Sequence, residues 1–141
     1  MTLVETVVGI ALIVTVFVGL YGAFQLSVST VSAAKGEADA DVLVRSHMEY
    51  MRSLSYADIG NPDSTPLGII PPAFTKVLGG VSYSIQTAVR YVDDPSDGLA
   101  VSGDVNPDDY KMFMVTVSWE TQRGEQSISA TSYVAPPAMG S

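Results

Sequence analysis

Between Thr6 and Ala34 the chain carries no charged side chain, and a single acid, Glu5, stands immediately before that run. Its most apolar part, Thr6 to Phe24, is about 19 residues, which as a helix extends roughly 29 Å, the thickness of a bilayer's hydrocarbon layer. If the helix continues to the breakers after Leu54, about 54 residues run roughly 80 Å, a length that makes little sense in a compact monomer of 141 residues, so this segment sets the terms for everything after it.

A signal peptide, a plain membrane anchor and a buried core helix all contain such a run, and each predicts different flanks. A signal peptide opens with basic residues, but before Lys35 the only charged side chain is Glu5, although Val31-Ser32-Ala33 fits a cleavage pattern after Ala33. A plain anchor has no use for an acid in its first turns, where a carboxylate in hydrocarbon costs about 2.5 to 3.5 kcal/mol. Glu5 therefore needs a partner. If Met1 is the mature first residue, its ammonium lies four residues away, and the helix dipole also favours an acid there. In a staggered stack of identical helices each Glu5 meets a neighbour's ammonium, and a missing neighbour leaves a buried charge unpaired.

The opening Met1-Thr2-Leu3-Val4-Glu5-Thr6-Val7-Val8-Gly9-Ile10 closely resembles the start of processed type IV pilins and type II secretion pseudopilins. The resemblance implies removal of a leader by a prepilin peptidase, methylation of the Met1 amine, and a filament cored by these helices, with Met1 and Glu5 as the residues of processing and assembly. It also implies an inner-membrane assembly machinery, other pilins as partners, residence in the membrane as a single-pass protein, and a final place in an extracellular pilus. Two departures stand out: Met1 replaces the commoner Phe, and Gly22 stands where proline is frequent. Val14-Thr15-Val16-Phe17-Val18 is β-branched at four of five positions, and Gly19 and Gly22 follow. Each glycine costs about 1 kcal/mol relative to Ala, so residues near 14 to 22 are expected to loosen when the subunit leaves the membrane. An unbroken helix whose glycines permit close packing is the competing expectation.

After Lys35 the apolar period becomes that of an amphipathic helix: Ala40, Val44, Met48 and Met51 share one face, and Asp41, Arg45, Glu49 and Arg52 another. That helix is expected to stop between Leu54 and Asp58, before Gly60, Asn61 and Pro62. Residues 59–80, with four prolines and four glycines, read as a connecting loop. From Val81 the period is two, and Tyr110–Glu120 and Gln126–Val134 form a hairpin about Arg123-Gly124. The fold class is thus α+β and pilin-like: a membrane or filament-core helix over 1–26, an amphipathic helix over 27–58, the loop, an antiparallel sheet head over 81–135, and a tail over 136–141.

Little here suggests catalysis. The sole histidine, His47, has no cysteine to join it in a metal site, there is no Walker or dinucleotide glycine pattern, and no nucleophile constellation has local support. The absence of cysteine excludes disulfides and thiolate chemistry, and a net charge of −8 disfavours charge-driven binding to nucleic acid. Asp93, Asp94, Asp97, Asp104, Asp108 and Asp109 gather oxygen donors in one loop and are candidate ligands for a structural calcium ion, outside the EF-hand spacing. The expected role is a structural filament subunit serving adhesion, motility, DNA uptake or secretion. The alternatives are a minor pilin or pseudopilin that primes a filament, and a single-span β-rich domain that binds a ligand with its loops.

Overall fold

A computed structural model describes residues 2–93 and 110–137. Five elements follow one another: α1 (Leu3–Ser53), β1 (Ala73–Leu78), β2 (Val81–Val92), β3 (Tyr110–Thr121) and β4 (Gly124–Val134). The chain divides into two compact units, Met1–Glu37 and Ala38–Ser141. The fold is α+β, a long N-terminal helix packed on a four-stranded antiparallel sheet.

The first unit is helix alone. In an apolar segment an α-helix satisfies every internal backbone N–H and C=O without outside partners, and α1 passes through the β-branched run at 14–18 and through Gly19 and Gly22 without a break. Propensity costs of a few tenths of a kcal/mol for each β-branched residue and about 1 kcal/mol for each glycine do not interrupt a ladder of this length.

In the second unit the last turns of α1 lie on the sheet. Ala40, Val44, Met48 and Met51 are all buried, as their spacing predicts, and Leu43 joins them. They pack with Tyr83, Ile85 and Val89 of β2 and with Phe113, Val115, Val117 and Trp119 of β3 in one core. Burying each large aliphatic or aromatic side chain contributes about 1.5 to 3 kcal/mol, which is why one sheet face and one helix stripe suffice for a small head. On the helix's outer side Arg45 Nε donates to Asp41 Oδ2 at 2.8 Å, an exposed pair worth a few tenths of a kcal/mol.

The helix ends at Ser53, just short of the expected 54–58, because Ser55 to Asp58 close a turn of their own. Asp58 N–H donates to the Ser55 carbonyl at 3.0 Å and the Ser55 hydroxyl to the Asp58 carboxylate at 2.7 Å.

The sheet is a meander in the order β1-β2-β3-β4. Its first strand corrects the reading of 59–80 as loop: Ala73–Leu78 pairs antiparallel with β2, from Ala73 opposite Gln86 to Leu78 opposite Val81. The two-residue turn is Gly79-Gly80, with φ of 58° and 82°, the left-handed values that tight hairpins require and glycine tolerates. What read as loop punctuation is a hairpin turn. The remainder of the segment is tied down: Asn61 Nδ2 donates to the carbonyls of Ile70 (3.0 Å) and Thr87 (3.2 Å), and Thr87 N–H donates to the Pro72 carbonyl at 2.9 Å.

Candidate assembly segment

The N-terminal end of α1 is closed by a reciprocal pair. The Glu5 N–H donates to the Thr2 hydroxyl at 3.3 Å, and the Thr2 N–H donates to Glu5 Oε2 at 3.4 Å. Thr-x-x-Glu in this arrangement is a capping box, which satisfies two of the amide donors that every helix start leaves without partners. Glu5 is also the acid of the first turn, where the dipole favours it. A carboxylate accepts about four hydrogen bonds, so one capping bond leaves capacity for an ammonium. Thr2 as the local partner of Glu5 was missed by reading the sequence for charge; the capping signature itself was present in the spacing. Met1, whose amine is the other expected partner, lies outside the described residues.

Beyond that cap the helix presents apolar side chains in every direction. From Leu3 to Val31 its large hydrophobic residues are exposed, Leu3 at 84% and Phe17 at 66%. The polar side chains in this stretch turn back on the helix. Thr15 donates to the Ala11 carbonyl at 2.8 Å, Ser27 to Ala23 at 3.0 Å, and Ser29 and Thr30 to Leu26 at 2.8 and 2.9 Å. Gln25 Nε2 donates to the Tyr21 hydroxyl at 2.8 Å. Hydroxyls bonded to their own helix no longer need water. This helix is long and apolar enough to cross a membrane, with a mean hydropathy of 2.5 over its most apolar window.

Val14, Gly19 and Gly22, expected as a loosening point, lie within the helix, and a Cβ added at Gly19 or Gly22 meets nothing within 4 Å. Of the six carboxylates proposed for calcium, Asp93 is the one described, at the end of β2; Asp94, Asp97, Asp104, Asp108 and Asp109 lie outside the described residues.

Two inward-facing polar residues of the head escaped the sequence reading. Lys111, at the start of β3, is 3% exposed, and its Nζ donates to the carbonyls of Ile59 (2.7 Å) and Tyr56 (2.8 Å) while sitting 4.6 Å from the Tyr56 ring centre. Burial pushes its ammonium below the usual lysine range, opposed by the charge of Asp58. Thr87, on the buried face of β2, lies 3.0 Å from His47 Nε2. The chain has no significant match among protein-family models, curated proteins or solved structures.

Proposed function

We propose that this chain is the structural subunit of a type IV pilus-like extracellular filament, held in the membrane by α1 and then polymerised through it. The observation that carries the proposal is an apolar helix with large hydrophobic side chains exposed on all its sides and one carboxylate at its start. A helix apolar all round is stable when something apolar surrounds it; lipid supplies that before assembly, and sister helices supply it afterwards. The pilin-like head, a helix stripe on an antiparallel sheet, supports the same reading, as does the internal bonding of the hydroxyls at 15, 27, 29 and 30.

In this scheme Glu5 pairs with the amine of a neighbouring subunit's first residue. In a low-dielectric helical core that pairing stabilises only the register in which the two charges meet, because a carboxylate left alone there is strongly disfavoured. The partners are then other copies of this chain, a prepilin peptidase and a membrane assembly machinery.

The test is the intact mass and N-terminal peptide of the native protein sheared from cells. A chain that starts at Met1 and carries one added methyl is the expected result. A chain that starts near Ala34, or that keeps residues ahead of Met1, would overturn the proposal.

A further inference from the structure

We propose that His47 makes the seam between α1 and β1 acid-sensitive: on taking up a proton it loosens the edge strand β1 from the helix. This goes beyond the filament reading and stands independently of it.

His47 is the only histidine of the chain, hence the only side chain whose ordinary titration falls between about pH 5 and 8. It sits where helix, edge strand and β2 meet, half-buried. Its Nε2 is 3.0 Å from the Thr87 hydroxyl of β2, and its ring centre is 5.3 Å from Phe74 of β1 and 5.9 Å from Tyr50 of α1. A cleft of about 220 Å³ runs beside it, floored by Leu43 and Ile85. The titratable groups that face the imidazole there are Tyr50 from α1 and Lys76 from β1; from β2 come Ile85 and Thr87, which do not titrate. Among the described residues no carboxylate lines the cleft. An imidazolium in this position loses water and gains no counter-charge from the groups that line the cleft.

The hydroxyl of Thr87 can donate or accept, so it does not decide the outcome. Burial does, and it pushes His47 below the ordinary histidine range. An opened state, with the ring in water, keeps the ordinary value near 6.5 and so binds more protons as pH falls through that value. Acid therefore favours opening. The opening is local because β1 is the shortest strand and lies at an edge, with mostly exposed side chains, held by β2 on one side and by Phe74 against the histidine.

The experiment is NMR on the isotope-labelled full chain in detergent micelles, from about pH 7.5 to about pH 5, the range in which histidine titrates. The His47 ring should titrate below its value in the denatured chain. Hydrogen-exchange protection of the bonded β1 amides, corrected for intrinsic exchange, should fall severalfold with the same midpoint while that of β3 holds. H47Q should abolish the β1 response. Constant β1 protection while the ring titrates, or a response that survives in H47Q, would overturn the inference.

Discussion

Thr2 and Glu5 cap the same helix start from opposite directions, each backbone N–H donating to the other's side chain, at 3.4 and 3.3 Å. Glu5 thus has a local partner as well as the distant one that assembly would provide, and the two roles separate by mutation. Thr2→Ala removes the cap at a cost of about 1 kcal/mol to the helix start and leaves the carboxylate in place. If Glu5 serves assembly, Glu5→Ala and Glu5→Gln should both abolish surface filaments, since neither offers a charge to an ammonium, while Thr2→Ala should reduce them less. If Glu5 serves only the cap, Glu5→Gln, which still accepts the Thr2 bond, should behave like the wild type. Filament yield by shearing, with subunit level as the control, reads the difference.

The Lys111 ammonium holds the chain just past the helix by two carbonyls, those of Tyr56 and Ile59. Lys111→Met has nearly the same length and apolar stem but no donor, so it takes the ammonium's hydrogen bonds from the buried Ile59 carbonyl and the part-buried Tyr56 carbonyl. Each such loss costs about 1 to 3 kcal/mol, and urea unfolding of the full chain in detergent, followed by the fluorescence of Trp119, should show a lower midpoint. Lys111→Arg should fall between, because a guanidinium does not fit a site shaped for one nitrogen.

Gly60 and Gly68 mark a point where the segment after the helix crosses itself. A Cβ at Gly60 would come within 2.4 Å of the Pro66 carbonyl oxygen, and one at Gly68 within 2.3 Å of the Gly60 nitrogen. Backbone atoms cannot rotate aside, so Gly60→Ala and Gly68→Ala should each destabilise the head by at least about 1 to 3 kcal/mol. Asn61→Ala should do likewise by freeing the Ile70 and Thr87 carbonyls. Loss of the upfield-shifted methyl resonances and of aromatic NMR dispersion, or a lower thermal midpoint, would register either effect.

Those residues also show where sequence reading stops. The stripe at 40, 44, 48 and 51 and the alternation from 81 were legible because burial repeats with the period of the element. β1 was not: its burial pattern is nearly all exposed, so no apolar alternation announces it, and its glycine pair reads equally as loop or hairpin. Lys111 and Thr87 occupy inward positions of β3 and β2 that periodicity assigns to apolar residues. Their partners are 52 and 40 residues away in sequence, a separation no local pattern encodes. At the other end, the Thr2–Glu5 cap was written in the spacing, but an acid before an apolar run draws attention to its charge rather than to the amides it covers.

The glycines of α1 give the last test. In the single chain a Cβ at Gly22 or Gly19 meets nothing within 4 Å, so Gly→Ala there should strengthen the isolated helix by about 1 kcal/mol. Within the single chain neither glycine is required by a close contact. If both serve only to lower helix propensity, Gly22→Ala should assemble at a normal or raised level, with higher helicity by circular dichroism in micelles. If Gly22 lets helices approach closely or lets the segment near 14 to 22 extend on leaving the membrane, the same substitution should stabilise the monomer and yet lower filament yield. Opposite signs in those two measurements would assign the glycine to the assembled state, where small residues permit contact between helix backbones. Equal signs would assign it to the monomer.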